Sequence, residues 1–445
     1  MAVESISTRG RISGMPAFIV VWLGQIISIL TTQMSQFALT VWAYEQTGSA
    51  TALGLVQVFY ITPFLIISPI AGAMIDRYNR KLMMMVSDLG ALVATTLLLS
   101  LQAAGALQIW HLYAASVMNG LANSFQWPAY SASVSLMVPK EQLGRANGLM
   151  SLMEQGPGVL APLVAGALLP FVHLTGILVL DLSTYFIALS ALLLVFVPQP
   201  AKTKESVKAQ SNFGQEVTYG FRYIFARPSL LGLQLVFFCG NFFSGIAFTV
   251  LAPMVLARTH NDTISLGAVN SAGAIGGIVG AIIMSAWGGF KRRTNGVLIG
   301  WIWFGLFEGI LLGLGRNVPV WMFALFASGL SGPLTNGSNQ AIWQSKVTPD
   351  VQGRVFAARR LIAWLTNPIT PIIGGLLADQ VLEPAMRADT GLSRLFGPLV
   401  GTGPGTGMAL IWLAAGVCMV LVGVTGYASR TVRDAETLLP DQVQA

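Results

Sequence analysis

Charge is what this sequence has least of. Its 445 residues include 25 Lys or Arg and 18 Asp or Glu, 10% together, where soluble domains carry roughly 25%. A water-soluble protein of this length could not cover its surface with so few. Cysteine is nearly absent too: Cys239 and Cys418 both lie inside apolar stretches, which excludes a disulfide framework and a cysteine-based metal site. The three histidines, His111, His173 and His260, are far apart in the chain, so neither a zinc set nor a nucleophile and base pair is present. What the sequence has instead is apolar length. Stretches free of Asp, Glu, Lys and Arg run over 12–44, 46–75, 89–139, 155–180, 228–257, 263–290, 317–345 and 395–429. Each holds the roughly 20 residues that a bilayer-spanning helix needs. The first begins after Arg9 and Arg11 and is too long for a signal-peptide core, so it is expected to be an uncleaved first span.

The reading is therefore an all-α polytopic membrane protein. Twelve transmembrane helices are expected, at about 16–44, 50–75, 82–102, 107–137, 143–172, 174–197, 229–257, 263–289, 294–315, 317–345, 353–381 and 406–429. The basic residues give this count its direction. With the N-terminus inside, 21 of the 25 Lys and Arg fall on the inner side, leaving Arg258, Arg316, Arg387 and Arg394 outside. That division follows the positive-inside rule and places both termini in the cytoplasm. The rule also accounts for the net charge of +7, so no nucleic-acid partner is expected.

Three domains are expected: an N-terminal six-helix bundle over 1–197, a cytoplasmic linker over 198–228, and a C-terminal six-helix bundle with a cytoplasmic tail over 229–445. The linker ends in Phe213, Val217, Phe221 and Ile224 at helical spacing, an amphipathic helix expected on the inner membrane face. A shift of 209 residues aligns Gly120-Leu121 with Gly329-Leu330, Gly144-Arg145 with Gly353-Arg354, Pro162 with Pro371 and Gly166 with Gly375. The halves are thus pseudo-repeats, an architecture that places substrate near the bilayer midplane and alternates access by rocking.

The loop Gly72-Ala-Met-Ile-Asp76-Arg77-Tyr-Asn-Arg80-Lys81 resembles the signature loop of the major facilitator superfamily. The stretch from Gly120 to Met153 resembles the branch that includes macrolide efflux proteins and the enterobactin exporter. EPAM at 383–386 and GTGPGTGM at 401–408 are similar to bacterial members encoded beside peptide-natural-product synthesis. The resemblance implies a secondary exporter of amphipathic small molecules (drug, siderophore or peptide natural product), an antiporter driven by proton entry. It would sit in the bacterial cytoplasmic (inner) membrane as a monomer, with the lipid bilayer around it, and need no cofactor beyond a proton gradient. A facilitator or importer of a neutral metabolite is the alternative. Of another class, a membrane-embedded enzyme is disfavoured because no polar cluster resembles a catalytic set; a transport-dead sensor on the same scaffold is a further rival. The chain departs from the family pattern in the second half, where Trp287 to Arg293 lacks the acidic residue. Span four also lacks the arginine of many proton-coupled drug antiporters.

The gating motif implied by the resemblance is Gly72, Asp76, Arg77, Arg80 and Lys81 with Arg354, a charge latch between halves. The bland counterpart is topology-setting surface charge. For proton coupling, Glu154 is the first candidate: it lies nine residues past Arg145, about 13 Å along a helix and so near mid-membrane. Asp88 and Asp181 follow, on spans the family treats as peripheral. An ionised carboxylate at the bilayer centre costs about 2.5–3.5 kcal/mol on the mildest scale, so each needs a partner, water or a proton. Candidates for the substrate cavity are Gln25, Gln33 and Gln36 on span one, Asn119, Asn123, Gln126, Trp127 and Tyr130 on span four, Asn241 on span seven, and Asn336, Asn339, Gln340 and Trp343 on span ten. Interhelical hydrogen bonding is the bland role for all of them. Amides and rings without a central Lys or Arg suit neutral or weakly charged amphipathic molecules and argue against small anions. Gly273, Gly276, Gly277 and Gly280 are read as close-packing positions.

Overall fold

The computed structural model describes residues 12–139, 142–198, 213–347, 352–388 and 390–438. Each expected apolar stretch is helical, and the helical path is consistent with twelve passes. Nine helical segments among the described residues are long and apolar enough to cross a bilayer by length and composition. The chain forms two compact units, one of Met1–Gly48 with Leu55–Lys202, the other of Ser49–Gly54 with Thr203–Ala445. The division falls near the start of the helix Ala50–Arg77.

In the first unit α1 is Gly14–Thr47, α2 Ala50–Arg77, α3 Arg80–Ala103, α4 Ile109–Met137 and α5 Leu143–Leu194. Gly48, at φ 60°, ends α1 in a left-handed cap whose N–H reaches Tyr44 O, a conformation that glycine adopts without strain. Asn79 caps α3, accepting from Leu82 N at 3.2 Å. The long α5 is two helices joined at His173, whose φ of 55° and ψ of 180° break the ladder. Between helices the contact is made by small residues and backbone, because lipid tails compete equally well for apolar side chains. At Gly24 of α1 an added Cβ would stand 3.1 Å from Ala191 Cβ of α5, and at Gly120 of α4 only 2.2 Å from Tyr60 O of α2.

In the second unit α6 is Phe213–Phe225, α7 Pro228–Thr249, α8 Leu251–Arg258, α9 Thr263–Trp287, α10 Arg293–Leu314 and α11 Val318–Lys346. Then come α12 Gln352–Trp364, α13 Thr370–Leu376, α14 Gly391–Val400 and α15 Thr406–Ala428. Two stretches wind as π-helix: Gly305–Leu311 inside α10, and Leu377–Leu382, which carries α13 into a last turn at Glu383–Arg387. The glycine stripe of α9 packs as expected on α11: a Cβ at Gly276 would meet Phe326 O at 2.1 Å and one at Gly280 would meet Leu330 O at 2.3 Å.

The described end of α6 packs on protein: Ile224 is fully buried, in a cluster with Tyr223, Leu230, Trp343, Val347 and Val355. The tail behaves similarly: after α15, Arg430–Arg433 and Ala435–Leu438 are helical turns. They are held where Arg292 pairs with Asp434 and Glu436 accepts from Thr294 N and Oγ1 at 2.9 Å.

Candidate functional site

Polar side chains cost too much in a helix bundle to be placed without use or partner, and in the first unit they converge. Gln25, Ser28, Thr32 and Gln36 recur on α1 at steps of three and four residues, one face of a helix. Asn119, Asn123, Gln126 and Trp127 do the same on α4. Together with Gln33, Tyr60 of α2, Asp88 of α3 and Tyr185 of α5 they line a cavity of about 520 Å³. That volume lies in the range of small-molecule sites, roughly 300–1,000 Å³. Among the described residues that line it there is no Lys, Arg or His.

Asp88 is the charged side chain among the described residues of that wall. It is 5% exposed; Gln25 Nε2 donates to Oδ2 at 3.0 Å and Gln126 Nε2 to Oδ1 at 3.0 Å. Gln126 Nε2 also lies 3.0 Å from Gln25 Oε1, so the two amides and the carboxylate form one network. Hydrogen bonds to a charged group are worth about 1.5–3 kcal/mol each, comparable with the cost of placing the charge in the membrane. The reading of α3 as peripheral support is thereby corrected at this position: Asp88 faces the cavity. Asn123 Nδ2 donates to the Tyr60 hydroxyl at 2.6 Å. Asp181 lies behind the wall, 1% exposed, and receives Thr32 Oγ1, a lining residue, at 2.9 Å.

The remaining sequence candidates go elsewhere. Tyr130 is in the core, stacked on Phe18 with ring centres 6.4 Å apart. In the second unit Trp343 Nε1 donates to Asn339 Oδ1 at 3.0 Å, both buried. Gln340 Oε1 accepts from Arg359 at 2.9 Å, and Asn336 Nδ2 turns back to Gly332 O at 3.1 Å. Asn241 lies on α7, half-buried. These residues do not line the cavity of the first unit; Asn339 and Trp343 satisfy each other within one helix. The side chains of Glu154, Gly72, Asp76, Arg77 and Arg354 lie outside the described residues. Arg80 begins α3, and Lys81 Nζ donates to Val195 O at 2.7 Å and Leu193 O at 3.2 Å. That places a cation on the open carbonyls where α5 ends.

The second unit holds two more carboxylates in unusual settings, both on π-helical turns. Glu308 is 8% exposed and accepts from Ser244 Oγ at 2.8 Å and Ser328 Oγ at 2.7 Å. Asp379 accepts from Ser49 Oγ at 2.6 Å, Ala50 N at 3.0 Å and Thr51 N at 2.8 Å, capping the first turn of α2 from another helix.

The profile of the Major Facilitator Superfamily matches residues 21–293. The chain belongs to the major facilitator superfamily. Within that superfamily it is 27% identical over 372 residues to macrolide efflux protein A of Streptococcus pyogenes, covering 82% of this chain and 90% of the relative. It is 24% identical over 422 residues to the enterobactin exporter EntS of Shigella boydii serotype 18, covering 92% of each. Among solved structures it resembles a bacterial homologue of the human lysosomal transporter Spinster in an inward-facing, unoccupied conformation. The TM-score is 0.71 and the identity 16%, covering 97% of this chain and all of that one. A superfamily member with this fold is a multi-pass membrane transporter.

Sequence reasoning missed Tyr60, Tyr185 and Thr32 as lining residues. Two stripes carried the signal. Asp88, Ala91 and Thr95 on α3 are small or polar and spaced by three and four, and Gln25, Ser28, Thr32 and Gln36 form the facing stripe on α1.

Proposed function

We propose that this superfamily member exports amphipathic small molecules across a bacterial cytoplasmic membrane by alternating access, driven by proton entry, with Asp88 as the carboxylate that exchanges proton for substrate. The observation that carries the reading is the Asp88 carboxylate on the cavity wall, held by two amides with no cationic side chain among the described lining residues. Protonation removes the charge that Gln25 and Gln126 are oriented to serve. The network must then rearrange, which changes the wall that a substrate meets. A ligand with a polar edge competes for the same amides, so proton and substrate disfavour each other. That is the thermodynamic requirement for exchange. The names of the relatives support outward transport. The lining of amides, Tyr60, Trp127 and Tyr185 supports a ligand with apolar area and hydrogen-bonding groups.

The test uses inside-out vesicles with an acidic lumen, assayed with a macrolide and with enterobactin. Wild-type protein is expected to accumulate at least one of them against its gradient. Asp88→Asn, which fixes the uncharged state, is expected to lose pH-driven accumulation and keep substrate exchange at zero gradient. Full accumulation by the Asn variant would remove Asp88 as the coupling carboxylate.

A further inference from the structure

Behind the cavity wall the first unit carries a second construction that proton exchange at Asp88 does not use. Asp181, on α5, is almost completely buried. Around it stand threonine hydroxyls from two other helices: Thr32 Oγ1 at 2.9 Å and Thr31 Oγ1 at 3.3 Å from Oδ1, and Thr95 Oγ1 at 3.2 Å from Oδ2. No Lys or Arg pairs with it among the described residues, so the charge has no fixed counter-ion. We propose that Asp181 with the hydroxyls of Thr31, Thr32 and Thr95 forms a binding site for a monovalent hard cation, of which sodium is the physiological example.

Three features argue for an ion with several ligands over a proton. The first is the hydrogen count. Thr31 has one hydroxyl hydrogen, yet its oxygen lies 3.0 Å from Ser28 O, 2.6 Å from Thr184 Oγ1 and 3.3 Å from Asp181 Oδ1. It cannot donate to all three, which leaves lone pairs for a cation. Thr32 is likewise within 3.0 Å of the Tyr185 hydroxyl, which can supply the hydrogen of that contact. The second is spacing. Two oxygens bound at right angles to a cation at about 2.4 Å, as for the similarly sized calcium, stand roughly 3.4 Å apart. The carboxylate and hydroxyl oxygens here are 2.9–3.3 Å apart, so a small adjustment admits the ion. The third is a further oxygen. Ser35 lies one turn beyond Thr31 and Thr32 on the same face of α1, is 4% exposed, and its hydroxyl is a fourth one turned to the Asp181 carboxylate.

Charge selects the class. One carboxylate neutralises one positive charge; a divalent ion would leave a buried excess, which is costly in a bilayer. Oxygen-only ligands exclude the soft metals. Access is through the substrate cavity, because Thr32 and Tyr185 are on its wall. The site stands apart from the assignment of Asp88 and is tested without transport.

The experiment is equilibrium binding of ²²Na⁺ to the purified full chain in detergent at pH 8, with thermal unfolding in sodium, potassium and choline chloride alongside. Saturable binding is expected, displaced by unlabelled sodium or lithium more readily than by potassium, with a melting-point rise in sodium that choline does not reproduce. Asp181→Asn should abolish both. Thr32→Val and Thr95→Val, which keep shape and carboxylate, should weaken binding several-fold, and they decide the matter if the Asn variant does not fold. Absence of saturable ²²Na⁺ binding, binding unchanged in both valine variants, or binding that follows Asp88 in place of Asp181 would overturn the proposal; the first of these would leave Asp181 a proton site or a structural one.

Discussion

At the scale of single residues, the cavity depends on how Asp88 is held. Gln25 and Gln126 each supply one N–H. Gln126→Leu keeps the volume and removes one donor, at an expected cost of about 1.5–3 kcal/mol. In the Asp88→Asn background the same change should cost clearly less, since a neutral amide asks less of its partner. A double-mutant cycle on thermal stability measures the difference, and equal costs in both backgrounds would show that Gln126 does not serve the carboxylate. The amides of this network were legible in the sequence because spacing of three and four on α1 and α4 puts them on one face. Asp88 was placed after Glu154 because its helix was judged by family position; its own stripe is what puts it on the cavity wall. Asn339 and Trp343 carried the same kind of signal and bond to each other. A polar pair four residues apart can close on itself or open to a cavity, and periodicity does not distinguish the two.

At the scale of elements, apolar length gave the helices and polar interruptions gave their ends. The break of α5 at His173 is one residue wide and fell where the two expected spans met. The surplus turns of π-helix were not legible, since one extra residue leaves hydropathy unchanged. Neither was the packing of α6 and of the tail, because an amphipathic stripe reads the same whether lipid or protein covers it. The tail gives a pH test. Hydrogen bonds from Arg433 and then Arg292 hold the Asp434 carboxyl below its ordinary value of 3.8. A carboxyl lowered in the folded state contributes stability above its unfolded value and loses it as pH falls through the lowered one. Amide protection over 430–438, measured by hydrogen exchange, should therefore be the same at pH 7 and pH 5 and fall only below about 4. Asp434→Asn should expose the segment at every pH. Protection lost between pH 7 and pH 5 would mean that another group holds the tail.

At the scale of the whole molecule, the division of basic residues makes a claim that a side-specific reagent can check. Single cysteines at Ser206 and Thr402, in a background free of Cys239 and Cys418, are expected to label from opposite faces of the membrane. Labelling from one face would overturn the count of spans. The pseudo-repeat read from paired glycines and prolines has a counterpart in the two compact units, but the second is not a copy of the first. Among the described residues only the second contains π-helix, at Gly305–Leu311 and Leu377–Leu382, and each segment presents a carboxylate, Glu308 and Asp379. A π turn holds one residue more than an α turn needs, so the surplus residue is accommodated without shifting the rest of the helix. Deleting one residue there would let the ladder close as α and swing the side chains on one side of the cut by about 100° relative to the other. Ser244 and Ser328 would then face a different residue from Glu308. Relatives one residue shorter in this helix should therefore lack the buried carboxylate, and length at that point becomes a marker that sorts them before any is assayed.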